Sequence, residues 1–145
     1  MKNELIPQSS EHEREYASNG YIMSLVAVMA GLPIPIVNLI ASLIFFLANR
    51  KATYFVRWHS TQALLSQLSV VGFNSAAFWW TISIFFLHEK EVNNDYLAYV
   101  IAVVVLNLLE LIGTIIAAVR VRKGIHYRIF IIAEFTDMFV KEPSE

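Results

Sequence analysis

Three stretches of this chain, Ala17–Asn49, Trp58–Leu87 and Tyr96–Val119, are 33, 30 and 24 residues long and together hold one charged side chain, Glu110. A helix in water needs a polar face, and these windows have none, so each must be covered by protein or lipid. A bilayer crossing takes about 20 predominantly apolar residues. The chain of 145 residues therefore has room for three or four crossings and little else. Composition agrees: charged residues are 16% and mean hydropathy is +0.54, where a soluble domain carries about 25% charge. The expected class is all-α, a polytopic integral membrane protein with no space for a separate catalytic domain.

Several functions drop out on composition. There is no cysteine, which removes disulfides, thiolate metal sites and cysteine nucleophiles together. A net charge of −1 and a pI near 6.4 lack the dense basic surface that nucleic-acid binding requires, so no nucleic-acid partner is expected. The first sixteen residues carry Glu4, Glu11, Glu13 and Glu15 against Lys2 and Arg14, the reverse of a signal or transit peptide. The four histidines show no repeated ligand spacing, and neither a phosphate-binding glycine loop nor a nucleophile elbow occurs. Neither a metal nor another cofactor is expected, and the chain reads as non-enzymatic.

The organisation follows from where the apolar windows break. Residues 1–20 read as a polar, acidic tail ending in the turn dipeptide Asn19-Gly20, residues 21–123 as the transmembrane helical domain and 124–145 as an interfacial C-terminal segment. The first window is interrupted at Gly31-Leu32-Pro33-Ile34-Pro35, where two prolines remove two backbone donors and oppose continuous helix. Either one long helix kinks there, or two short helices form a hairpin with this tip. The hairpin is preferred because Pro-x-Pro fits a turn better than mid-span. Four helical segments result, the first two short and Pro-broken. A C-terminal helix follows over Ile129–Val140, with Glu134, Asp137 and Lys141 on one side and Phe135, Met138 and Phe139 around the rest, the pattern of an amphipathic helix lying in the interface.

Orientation follows from the cations. Arg50, Lys51 and Arg57 lie on one connection and Arg120, Arg122, Lys123 and Arg128 follow the last span, whereas the His88–Asp95 loop offers Lys90 among Glu89, Glu91 and Asp95. The positive-inside rule places the two basic sites and the C-terminus in the cytoplasm, for a multi-pass protein of the cytoplasmic (inner) membrane.

Glu110 is the strongest single signal, since an ionisable group within a span normally faces protein or water. Counted from the span edges, Ser69 and Asn38 fall at its depth, about 15 Å in, and Asn107, Gly113, Thr114 and Ala117 share its helix face. Ser69 stands with His59, Gln62, Ser66, Gly72 and Ala76. An intramembrane polar cluster of Glu110, Asn107, Ser69 and Asn38 is thus expected. It acts either as structural hydrogen bonding that fixes helix register or as a proton, ion or substrate step. At the cytoplasmic edge Arg57, Trp58, His59 and Gln62 form an interfacial motif, with Tyr54, Phe55 and Trp58 suited to the headgroup zone.

The stretch Phe55-Val56-Arg57-Trp58-His59-Ser60-Thr61-Gln62-Ala63-Leu64-Leu65 resembles the aromatic-Val-Arg-aromatic-His-x-x-Gln-Ala-Leu signature of the Tic-twenty family, the small polytopic subunit of the chloroplast inner-envelope translocon, and of its bacterial relatives. The ending, with Gly124, Tyr127, Ile129, Ile132, Glu134 and Asp137, is similar to that family's close. The resemblance implies four helices with both termini on one side and an association with protein import. The leading expectation is a non-enzymatic small subunit or scaffold of a larger membrane complex, linked to protein translocation. Its partners are the lipid bilayer and other membrane subunits or further copies of the chain. The alternative is a solute or ion transporter or channel built on Glu110; a third reading is a lipid-responsive protein that senses headgroups through Arg57, His59 and the C-terminal helix.

Overall fold

The structure is a computed structural model and describes residues 9–30, 35–88 and 90–141, with the side chains of residues 27–30 and 35–38 outside that description. Five helices follow in order: α1 (Glu11–Ala30), α2 (Pro35–Asn49), α3 (Tyr54–Phe85), α4 (Asn94–Arg122) and α5 (Ile132–Phe139). No β-strand occurs among the described residues. The Gly31–Ile34 tip of the expected hairpin lies outside them.

Helix α1 starts well before the apolar window, because local chemistry nucleates it there. Ser10 N–H donates to Glu13 Oε2 at 2.7 Å and Glu13 N–H to Ser10 Oγ at 3.3 Å, the reciprocal capping box that satisfies two donors a helix start leaves free. The helix then runs through Asn19-Gly20, read from sequence as a turn. Packing overrides that local preference: a Cβ at Gly20 would sit 2.8 Å from the Phe45 ring, so glycine is there to let α2 approach. Four residues on, Ser24 Oγ meets Ser42 Oγ at 2.8 Å. The two contacts pair rising numbers on α1 with falling ones on α2, so the two helices lie side by side and antiparallel.

Helix α4 is defined at both ends. Asn93 caps its start, its Oδ1 accepting from Tyr96 N–H at 2.8 Å, and Arg120 and Arg122 occupy the last turn, where cations complement the helix dipole. It stops in a Schellman motif. Ile125 N–H reaches Arg120 O at 3.0 Å and Gly124 N–H reaches Val121 O at 2.9 Å, with Gly124 left-handed at φ +78°, a conformation glycine takes without steric cost. The chain then folds back across the end of the bundle to α5.

Helices α1 and α3 sit at the centre. α1 packs on α2, α3 and α4, and α3 touches all four other helices, while α2 and α4 do not meet among the described residues. The apolar core of Ala17, Tyr21, Phe55, Val56, Ala63, Ala117, Ala118 and Val121 lies at the end where α1 begins and α4 stops. Farther along, the distribution inverts: Ser24, Ser42, Ser66, Gln67 and Thr114 are buried, whereas Ile44, Phe73, Trp79, Ile101, Leu109 and Ile112 face outward. Helices α3 and α4 are long and apolar enough to cross a membrane.

Candidate functional site: a hydrogen-bond hub and a carboxylate brace

The edge motif forms the hub of the fold. His59 and Gln62 are one turn apart on α3 and both are fully buried, so every polar atom they carry needs a partner. Gln62 Nε2 donates to Tyr21 Oη at 2.7 Å and to Tyr127 O at 3.1 Å, and its Oε1 accepts from Ile129 N–H at 2.9 Å. One amide thereby ties α1 to α3 and holds the segment returning from α4. Its orientation is fixed, because Tyr127 O can only accept and Ile129 N–H can only donate.

That orientation sets the rest of the chain. Tyr21 accepts from Gln62, which leaves its own hydroxyl hydrogen for His59 Nδ1 at 3.0 Å. His59 then carries its proton on Nε2, which donates to His126 Nδ1 at 3.3 Å. The tautomer follows from the network that surrounds it. Around this line, Phe55 and Trp58 stack edge-on against His59, at 4.6 and 5.0 Å between ring centres, and Trp58 lies 4.2 Å from the His126 ring.

Trp58 extends the hub to α5. Its Nε1 donates to Asp137 Oδ1 at 2.8 Å, Arg128 pairs with the same carboxylate, and the Arg128 guanidinium lies 5.4 Å from the Trp58 ring centre. Burial raises the Asp137 carboxyl, but the bonds from Arg128 and Trp58 outweigh it and hold the group below the usual aspartate range. The expectation of interfacial aromatics is corrected here: Trp58 is fully buried and Phe55 nearly so, because α5 and its linker cover the ring that sequence assigned to the headgroup zone. Arg57 contributes its carbonyl to Ser60 Oγ and Thr61 Oγ1; its Nε is buried without a partner among the described residues. Of the C-terminal motif, Gly124 and Tyr127 belong to the hub's connection, Asp137 to the hub itself, and Glu134 is exposed.

Deeper in the bundle, α3 and α4 are joined by a polar ladder. Glu110 Oε1 accepts from Gln67 Nε2 at 2.6 Å, Thr114 Oγ1 at 2.7 Å and Ser66 Oγ at 3.3 Å. Three residues back along α4 and seven on along α3, Asn74 and Asn107 exchange two amide hydrogen bonds at 3.0 and 2.6 Å. The expected cluster is therefore regrouped. Ser69 is exposed and bonds to Ser66 O of its own helix at 2.6 Å: at 3.6 residues per turn it points roughly 200° away from Gln67. Matching residues by depth cannot detect that rotation. The Asn38 side chain lies outside the described residues. Gln67 and Asn74 escaped the sequence reading, although each is an amide inside an uncharged window; Asn107 stands out through its i−3 spacing from Glu110, and neither Gln67 nor Asn74 shares a helix with that charge.

Among the described residues no three His, Asp or Glu side chains converge as metal ligands. The fold and its two polar centres define a helical bundle with bonded polar groups inside and apolar side chains outside, the distribution of a small helical membrane protein. The family model for the magnetosome magnetite crystal formation proteins (MamF/MmsF) matches residues 15–136, and the chain belongs to that family. Comparisons with curated proteins and with solved structures find no match. The family match overturns the Tic-twenty resemblance, and with it the link to protein translocation. Most of the residues that carried the resemblance, within Phe55–Leu65 and Gly124–Asp137, build the hub, while Glu134 stays exposed. A buried hub specifies how one end of a helical bundle is closed, which is a structural requirement and not a mark of protein import.

Proposed function

We propose that this chain is a non-enzymatic, multi-pass component of the magnetosome membrane that takes part in magnetite crystal formation as a structural partner of other membrane subunits or of further copies of itself. The observation that carries this reading is the family match, which spans α3, α4 and the hub residues up to Ile129. Helices α3 and α4 cross the bilayer and the α1–α2 hairpin enters it beside them, giving four membrane segments. The basic ends at Arg57 and Arg120 lie in the cytoplasm with the C-terminus, and the His88–Asp95 loop lies on the other side, by the distribution of cations. Helix α5 lies in the interface: Ala133 and Thr136 are buried toward the bundle, and Phe135, Met138 and Phe139 remain exposed for the lipid.

The transporter alternative draws no support from Glu110, whose Oε1 is already engaged by three neighbours. That is the geometry of a brace between helices. The test is complementation in magnetite-forming cells from which the gene has been removed. Crystal size and number, measured by electron microscopy, should depart from wild type in the deletion and return with the intact gene. Unchanged crystals in the deletion would sink the functional reading. Alkaline extraction of cell membranes reports separately on embedding, and release into the supernatant would sink the multi-pass placement.

A further inference from the structure

Between α1 and α4 runs an open groove of about 340 Å³ that neither the hub nor the Glu110 brace uses. Its walls are Ile22 and Leu25 on α1 and Ile115 and Val119 on α4, and Ser18 and Arg122 stand at its mouth. Helical spacing dictates this order. Arg14, Ser18, Ile22 and Leu25 recur at three- and four-residue steps along one face of α1, and Ile115, Val119 and Arg122 do so along α4. Both helices run from polar to apolar in the same direction, away from the basic end of the bundle. From Ser18 to Leu25 the apolar wall is about 10 Å long at 1.5 Å per residue.

We infer that this groove holds one acyl chain of an anionic phospholipid, with the lipid phosphate on Arg122. This deepens the membrane placement proposed above and rests on it. Two properties of the groove select the ligand. An apolar trough matches a hydrocarbon chain, and charge complementarity selects the head: Arg122 stands at the mouth, Lys123 follows it in sequence, and Arg14 lies against Gly124 at the same end. Arg122 already meets an anion there, since its Nη1 lies 3.2 Å from Glu15 Oε1 with both side chains about half exposed (50% and 49%). An exposed pair of that kind is weak, and a phosphate diester can replace the carboxylate. Glu15 is thus the competitor of the headgroup.

The test titrates purified protein in mild detergent with phosphatidylglycerol and, in parallel, with phosphatidylcholine of the same chains, and follows the thermal midpoint. At about tenfold excess over Kd, phosphatidylglycerol should raise the wild-type midpoint by about 4 °C, and phosphatidylcholine by clearly less. Arg122→Gln should bring the two lipids together. Ile115→Trp, at a position 45% exposed and so free of core overpacking, should fill the groove and remove the response. Glu15→Gln should tighten phosphatidylglycerol binding about two- to fivefold by removing the competitor. Equal responses to the two lipids in wild type, a wild-type response in Arg122→Gln or Ile115→Trp, or weaker binding in Glu15→Gln would each overturn the inference. Alkaline extraction of wild type separates these outcomes from a failure of membrane placement itself.

Discussion

Trp58 on α3 and Asp137 on α5 are 79 residues apart in sequence and joined by a hydrogen bond of 2.8 Å from Nε1 to Oδ1. That bond, with Arg128 on the same carboxylate, fastens the last helix to the bundle. Trp58→Phe keeps the ring and removes the donor. It should weaken docking of α5 by about 1 kcal/mol, less than is usual for a bond to a charged group because Asp137 is partly solvated. Faster amide exchange in α5, with α4 unchanged, is the expected readout. Identical exchange in the two proteins would show that the indole N–H does not hold the helix.

The same carboxylate gives α5 a pH limit. Asp137 titrates lower in the folded protein than in the unfolded chain, so its contribution is fully present above the unfolded aspartate value, near 3.9, and is lost as pH falls through the lower folded value. Glu13, lowered by the backbone hydrogen bond from Ser10 and by the Thr53 hydroxyl, follows the same sign at the start of α1. Protection of α5 should therefore be flat from pH 7 to about 5 and fall below about 4. Asp137→Asn should flatten that fall at α5 while leaving the start of α1 acid-sensitive. Loss of α5 protection at the same low pH in the Asn variant would refute the assignment to Asp137.

Glu110→Gln retains an oxygen that can accept from Gln67, Ser66 and Thr114, and should leave thermal stability in detergent close to wild type. Glu110→Leu strands those three donors. Interhelical polar contacts in membranes are worth about 1–2 kcal/mol, less where the unfolded state finds partners, and the Leu variant should melt lower by a corresponding few degrees. Equal midpoints for Leu and wild type would mean that the brace contributes nothing to packing.

Two glycines separate backbone need from helix propensity. Gly124 is at φ +78°, and a Cβ there would lie 2.7 Å from Arg14 Nε, so Gly124→Ala should destabilise by about 1–2 kcal/mol from the left-handed backbone. A Cβ at Gly113 would meet nothing within 4 Å, and Gly113→Ala should be neutral or stabilise by up to about 1 kcal/mol. Thermal midpoints of the two variants, measured side by side, decide the matter. The reverse order would mean that α4 does not end in this motif.

Topology is read directly with reporters. A fusion after Glu145 should report cytoplasm and an insertion between Asn93 and Asn94 the opposite side, because the cations gather at the Arg57 and Arg120 end. Reversal of either would overturn the charge argument.

The sequence by itself determined the helical class and the apolar stretches that make up most of α3 and α4, Trp58–Leu87 and Tyr96–Val119, because uncharged windows are local signals that need no knowledge of neighbours; the extra turns at Tyr54 and Arg122 lie beyond those windows. It also marked Glu110, Asn107, His59 and Gln62 as polar residues in apolar surroundings. Which of them meet was decided by tertiary structure. Rotation of α3 about its axis gives Glu110 to Ser66 and Gln67 and turns Ser69 outward, and approach of α2 makes Gly20 a helix-packing position. The returning segment from Ile125 to Ile131 buries Trp58, an aromatic that otherwise suits a membrane edge. The physical reason is that a residue's depth along a helix follows from counting, whereas its azimuth and its long-range partners depend on how the other helices pack around it.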